Sequence, residues 1–154
     1  MPMPKMSVED WTEIANLIGR YQWLLDEGDA AGWAALFTDD GEVLGVGQEV
    51  KGAEALKGAA AATFGGYQGR MRHSLGTLWI EHDQDRDHAI ARYYALVTTW
   101  NPEPGPELFN LGRCTAELRR VDDAWKIKSN SIGSLRGYAA ERAMAGTTAA
   151  PNRP

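Results

Sequence analysis

The sequence contains a single cysteine, Cys114, among its 154 residues. One cysteine excludes an internal disulfide, and a reducing cytoplasm is the expected compartment. No window approaches eighteen apolar residues, which excludes a membrane-spanning helix. No apolar run follows the first five residues, so we expect no secretion signal.

Positive charge and cofactor motifs are also scarce. The net charge is −5 at pH 7, whereas nucleic acids and anionic membranes both require a basic face. No glycine-rich phosphate motif is present, and one cysteine with three scattered histidines argues against zinc. Carboxylates occupy every second position within residues 82–88, as they do in a calcium loop. The glycine and the distal glutamate of such loops are missing. We therefore expect a solvated turn at 82–88, no nucleic-acid or membrane partner, no cofactor and no metal.

What the chain does contain is typical of one globular domain. Hydrophobic residues make up 44% of it and charged residues 24%, which are ordinary values for a folded domain. A chain of this length buries a proper core without disulfides or metals. We expect a single domain over 1–154, with an ordered core over about 7–140 and a flexible tail over 147–154.

Helix signals dominate the first half. Ser7 opens a capping pattern, and apolar residues recur at helical spacing over 8–25. Gly28 suits the left-handed residue that ends such a helix, and Asp29 can cap a second, shorter helix that reaches residue 37. Further predictions for this half are a third helix over about 52–64 and a turn over 38–41.

The second half favours strands. β-branched and aromatic residues alternate between polar turns at 82–87, 101–106 and 121–124. Helices gathered on one side of an antiparallel meander define the α+β class, and long strands must coil, which leaves a hollow under the helices. We predict a cone-shaped, curved antiparallel or mixed sheet with about three N-terminal helices covering an apolar pocket. The predicted strands are 42–46, 49–51, 72–81, 88–100, 108–120 and 125–135.

Aromatic residues are numerous, with six tryptophans. Alternation along a strand puts Tyr93 and Tyr94 on opposite faces, so that one of them faces the hollow. Pocket aromatics suit a hydrophobic, ring-bearing ligand, although core packing explains many of them equally well. Long exposed sheet faces also predict a homo-oligomer, a dimer or a trimer.

One set of residues recurs at spacings that are typical of a known family: Ile14, Tyr21, Asp26, Asp29, Trp33 and Phe37, then 39–41, 52–56, His73 and 118–127. Their arrangement resembles the SnoaL-like branch of the NTF2-like superfamily over residues 8–136. The resemblance implies the α+β barrel of that superfamily, which includes dehydratases, dehydrochlorinases, isomerases, polyketide cyclases and non-catalytic binders.

Within this superfamily the polar residues resemble those of the group of scytalone dehydratase, the lindane dehydrochlorinase and the bile-acid 7α-dehydratase. The resemblance implies a catalytic pair of Asp26 and His73. It also matches Tyr21 to a pocket tyrosine and Arg136 to a pocket arginine that could anchor an anionic group of the substrate. A core tyrosine and a surface arginine are the competing interpretations. The bile-acid enzyme also has a second aspartate inside its sheet. The matching position in this chain is Leu96, which is not a carboxylate.

These residues define three functional hypotheses. The first is a cofactor-independent, dehydratase-like lyase in which His73 is the base, Asp26 orients it and Tyr21 assists the leaving group. Arg136, Tyr93, Trp79 and Leu96 would then contact a hydrophobic, ring-bearing substrate. The second is an isomerase or a polyketide cyclase with the same pocket, and the third is a non-catalytic ligand-binding or subunit protein.

Overall fold

The computed structural model describes residues 3–134. Within that range no helix is both long and apolar enough to cross a membrane. Arg136, the last residues of the predicted core and the predicted tail lie outside the described residues. The elements are α1 (Val8–Glu27), α2 (Ala30–Ala34), β1 (Phe37–Leu44), β2 (Val50–Lys51), α3 (Ala53–Gly66), β3 (Met71–Asp83), β4 (Asp85–Trp100), β5 (Pro106–Val121) and β6 (Ala124–Ser134).

Helix α1 begins and ends where its sequence signals predict. The Ser7 hydroxyl accepts the backbone N–H of Asp10 at 3.0 Å, which satisfies one of the free donors of the first turn. Gly28 has a φ of 78° and closes the helix in the left-handed conformation. Ile14, Ile18 and Tyr21 of its apolar stripe are buried, whereas Val8 and Trp11 at the start of the stripe are exposed.

The strands form one sheet in the order β2-β1-β6-β5-β4-β3. All neighbouring pairs are antiparallel except β1 and β6, which run parallel. The two edge strands, β2 and β3, do not pair with each other, so the sheet stays open. The predicted α+β class, with three helices against a curved mixed sheet, is confirmed.

Two predictions around β1 are wrong. Helix α2 ends at Ala34, and Phe37 already belongs to β1. Residues 38–41 do not reverse the chain but bulge out of β1, because the register with β6 jumps between Phe37 and Glu42. The Lys128 ammonium holds the bulge by donating to the carboxylate of Asp40 at 2.8 Å. Polar, turn-forming residues therefore occupy an irregular stretch inside a strand.

The hairpin turns are tighter than the polar segments suggest. Asp83 pairs with Asp85 across β3 and β4, and Gln84 turns the chain with a φ of 65°. The predicted turn at 82–87 is thus mostly strand. The turn between β5 and β6 is confirmed, with Asp122 and Asp123 both at positive φ, as a two-residue hairpin loop requires.

Alternation along the strands separates a packed inner face from an exposed outer face. The inner face and the helices share the core, where Leu118 and Ile127 pair across β5 and β6. Self-association through the outer face remains a prediction. The large apolar side chains exposed on the outer face are Trp79, Tyr94, Leu96, Trp100 and Leu108.

Acidic side chains of α1 fasten the N-terminal half of this helix to the β5–β6 hairpin. Arg120 donates to Asp10 at 2.6 Å, and the Trp125 indole N–H donates to the same carboxylate oxygen at 3.0 Å. The backbone N–H of Trp125 donates to Glu13 at 2.8 Å. Hydrogen bonds from Arg120 and Trp125 outweigh the opposing effect of burial and hold the pKa of Asp10 below its usual 3.8.

Truncating Leu118 tests the core. Leu118 is 1% exposed and Leu108, on the same strand, is 70% exposed. We expect Leu118→Ala to lower the free energy of unfolding by about 2–5 kcal/mol, because it leaves a cavity among buried neighbours. Leu108→Ala should change it by less than about 0.5 kcal/mol. Urea unfolding followed by tryptophan fluorescence measures both, and equal losses would contradict the assigned faces of β5.

Protonation of Asp10 should weaken the fold in acid. Because the folded-state pKa of Asp10 is lowered, its contribution is present above the unfolded pKa of about 3.9 and is lost as the pH falls through the folded value. Asp10→Asn should therefore destabilise the protein at pH 7 and flatten the pH dependence of unfolding in the acid range. Glu9→Gln, an exposed neighbour, is the control. The prediction fails if Asp10→Asn keeps the acid dependence of the unchanged chain.

Candidate active site

Asp26 and His73 lie in direct contact. Asp26 is in the last turn of α1 and His73 is near the start of β3. The Nδ1 atom of His73 is 2.6 Å from Oδ1 of Asp26, and the backbone N–H of His73 donates to Oδ2 at 2.8 Å. One residue thus engages both oxygens of the carboxylate, which holds the position of the strand backbone as well as the orientation of the ring.

Arg72 ties together the chain segments that meet at this pair. Its guanidinium donates to the backbone carbonyls of Gly69 at 2.8 Å and Met71 at 2.7 Å. It also lies 3.5 Å from the carbonyl of Asp26 and 3.6 Å from the carboxylate of Glu27. The end of α1 and the start of β3 are therefore joined by one side chain next to the Asp26–His73 pair.

The hydrogen bond between the two side chains fixes the tautomer of the imidazole. A carboxylate only accepts hydrogen bonds, so Nδ1 carries the proton that is donated to Asp26. In the neutral ring, Nε2 then presents a lone pair. This division of roles is the one by which an aspartate orients a histidine base in hydrolases. Both side chains are largely buried, with exposed fractions of 8% for Asp26 and 14% for His73.

A cavity of about 320 Å³ lies between the helices and the inner face of the sheet. Its volume is within the range of small-molecule sites. The lining is mostly apolar, and polar groups come from Tyr21, Gln48, Thr63 and Tyr67. The apolar lining includes Leu25, Trp33, Val43, Val50 and Ile132.

The Asp26–His73 pair borders a second and much smaller space of about 10 Å³. Leu25 and Thr63 line both this narrow space and the larger cavity. The pair therefore lies beside the cavity, behind two side chains. The Thr63 hydroxyl donates to the carbonyl of Ala59 at 2.9 Å, which directs it back onto its own helix.

Tyr21 lies in the wall of the cavity and is 3% exposed. Its ring packs against Trp33 with centroids 5.1 Å apart. Burial raises the pKa of Tyr21 well above its usual range, against a smaller opposing effect of Asn130. The hydroxyl therefore stays protonated and can donate a hydrogen bond.

Asn130 is an interior polar residue that the sequence reasoning missed. It is 1% exposed, and its Nδ2 donates to the hydroxyl of Tyr93 at 2.9 Å. Its Oδ1 is buried without a hydrogen-bond partner among the described residues. Simple alternation from Ile127 would turn Asn130 outward, but a bulge at Lys128 shifts the register and pairs Asn130 with the inward Ala116.

The structure separates the predicted substrate-contacting residues. Tyr93 is buried on the inner face, although it is not part of the wall of the 320 Å³ cavity. Trp79 and Leu96 lie on the outer face, 56% and 40% exposed, and neither lines the 320 Å³ cavity. Trp79 instead lines a separate pocket of about 220 Å³. Leu96 alternates with the buried Ala95 and Val97.

Trp79 has a different set of contacts on the outer face. It pairs in register with Arg92, whose guanidinium lies 4.5 Å from the centre of the indole ring. Arg92 also donates to Glu81 at 2.6 Å. The exposed face of Trp79 is thus partly covered by a cation held in an ion pair.

The polar segment at 82–88 belongs to the ends of β3 and β4, which turn at Gln84. His88 Nδ1 lies 2.8 Å from Asp85, and the backbone N–H of Asp87 donates to the same carboxylate oxygen at 2.8 Å. Among residues 3–134 no group of three or more His, Cys, Asp or Glu side chains is arranged to hold a metal ion. The carboxylates of this segment stabilise the turn.

The family model of the SnoaL-like domain matches residues 6–130 of the chain. This span includes all three helices, the first five strands and most of β6. Tyr21, Asp26 and His73 lie within it. No curated protein matches the chain.

Several solved structures share the fold. An NTF2-like protein with a cystatin-like fold from Novosphingobium aromaticivorans is 29% identical over 88% of each chain, with a TM-score of 0.78. A Catenulispora acidiphila protein, solved in complex with S-DNPA, is 23% identical over 87% of this chain and 99% of its own, with a TM-score of 0.73. A proposed scytalone dehydratase from N. aromaticivorans is 21% identical over 82% and 85%, with a TM-score of 0.71.

The last two likenesses are below 25% identity and concern the fold alone. The family model, in contrast, covers most of the sequence, and the helices and the open mixed sheet agree with the solved relatives. The chain therefore belongs to the SnoaL-like domain family of the NTF2-like superfamily.

Proposed function

We propose that this protein is a cofactor-independent, dehydratase-like lyase that acts on a hydrophobic, ring-bearing small molecule. The observation that supports this most directly is the 2.6 Å contact between His73 and Asp26 beside an apolar cavity. The membership in a family that includes polyketide cyclases and dehydratases agrees with it. The relative solved with S-DNPA supports a small-molecule ligand.

In the proposed reaction His73 moves a proton between two positions of the substrate. Nε2 takes the proton from the carbon next to a carbonyl, and Asp26 stabilises the resulting imidazolium through Nδ1. The electron pair left on carbon forms the C=C bond as the C–O bond to the neighbouring hydroxyl breaks. The imidazolium returns its proton to the departing oxygen, so water leaves and His73 is again neutral.

Tyr21 has the properties of a hydrogen-bond donor in this scheme. Burial keeps its hydroxyl protonated, and the side chain lies in the cavity wall. A hydrogen bond that the phenol donates to the leaving hydroxyl, or to the carbonyl oxygen on which charge develops, lowers the energy of the transition state. Tyr21 therefore assists elimination without itself taking the substrate proton.

Two alternatives use the same residues. An isomerase or a polyketide cyclase would have His73 return its proton to another carbon, or generate a carbon nucleophile, without loss of water. A non-catalytic binder would use only the cavity. The narrowness of the space at the Asp26–His73 pair favours the binder as the second candidate, because a ligand can fill the larger cavity without touching His73.

Exchange of a substrate proton tests the role of His73. We expect ring-bearing β-hydroxyketones that bind the protein to exchange the proton next to the carbonyl in D₂O and to lose water. His73→Ala should reduce both rates by about 10²–10⁴, the usual contribution of a general base. Proton NMR measures the exchange and mass spectrometry measures the loss of water.

His88→Ala is the matched control, because His88 forms a second histidine–aspartate pair with Asp85, at 2.8 Å at the start of β4. This variant should keep the rates of the unchanged chain. Exchange without loss of water selects the isomerase or cyclase. Binding without exchange, detected by native mass spectrometry, selects the binder, and an unchanged rate in His73→Ala rejects His73 as the base.

A further inference from the structure

Phe64 occupies a position defined by two glycines. A Cβ atom added to Gly28 would lie 2.9 Å from the Phe64 ring, and one added to Gly69 would also lie 2.9 Å from it. Both glycines have positive φ, 78° and 66°, which disfavours side chains on conformational grounds as well. The ring therefore fits between the end of α1 and the turn that precedes β3, against backbone that carries no side chains.

This position adjoins the Asp26–His73 pair. Gly28 follows Asp26 by two residues and Gly69 precedes His73 by four. Phe64 lines the same 10 Å³ space as the pair, and a space of this size holds one water molecule at most, since a water needs roughly 10–15 Å³. Phe64 is 38% exposed, so it faces solvent on one side and the small space beside the pair on the other.

We infer that Phe64 governs access to His73. Its ring closes the solvent side of the pair, and the approach that remains leads from the large cavity past Leu25 and Thr63, which line both spaces. Under the proposed function, on which this role rests, Phe64 excludes water from the reacting groups and limits the size of the substrate group that reaches Nε2. Phe64 is thus a specificity-determining residue that acts by covering His73.

Chemical modification of the histidines tests this inference without a substrate. Diethyl pyrocarbonate acylates accessible neutral imidazoles, and the chain has three histidines, which peptide mass spectrometry can follow in one sample. His82, which is buried, and His88, which is half-buried near the start of β4, are internal references. We expect Phe64→Ala to raise the modification rate of His73 by about tenfold or more by lowering the cost of local opening, while His82 and His88 keep their rates.

Phe64→Leu retains a smaller apolar cover and should give a rate for His73 between those of the unchanged chain and Phe64→Ala. If Phe64→Ala does not fold, the modification rate of His73 in Phe64→Leu tests the inference instead. Leu108→Ala, which removes an exposed side chain elsewhere, should leave the modification rates of all three histidines unchanged. An unchanged rate for His73 in the folded Phe64 variants, or a rate that rises together with that of His82, would overturn the inference.

This outcome is independent of the reaction. Uncovering of His73 in Phe64→Ala, together with unchanged proton exchange in His73→Ala, would show that Phe64 covers His73 and would reject the proposed function. Loss of proton exchange in His73→Ala, with no effect of the Phe64 variants on the modification of His73, would support the proposed function and reject the covering role of Phe64.

Discussion

The two hydrogen bonds from His73 to the Asp26 carboxylate join the end of α1 to the edge strand β3. The other end of the same helix is held by Asp10 and Glu13 against the β5–β6 hairpin. The helix fastened in this way supplies Tyr21 and Leu25 to the wall of the cavity. The contact that orients the imidazole therefore also helps to position one wall of the pocket beside it.

Asp26 stands where a carboxylate is unfavourable for a helix. The carbonyl groups of the last turn carry partial negative charge, which repels an acidic side chain at that end. Two short hydrogen bonds from His73 offset this repulsion, and charge-assisted hydrogen bonds are among the stronger ones in proteins. The residue thus contributes to the junction between α1 and β3 rather than to the helix itself.

Local signals predicted the elements that local interactions determine. The Ser7 cap and the Gly28 end of α1 follow from side-chain and backbone chemistry within a few residues. The bulges at 38–41 and at Lys128 depend on the partner strand, so alternation could not reveal that 38–41 continues a strand or that Asn130 points inward. Leu96 entered the pocket hypothesis through the resemblance and Trp79 as a strand aromatic, but both side chains lie on the outer face of the sheet. The Asp26–His73 contact was accessible only through family resemblance, since nothing local relates two residues so far apart.

The parallel pairing of β1 with β6 has a consequence for how the chain folds. β1 comes from the first third of the described chain and can complete its hydrogen bonds only after β6, the last described strand, has been synthesised. The β3–β6 meander, in contrast, pairs each strand with the next in sequence. Contacts of long sequence separation carry the larger loop-closure entropy. The meander is therefore expected to assemble before β1 docks, with the edge of β6 left open until β1 pairs with it.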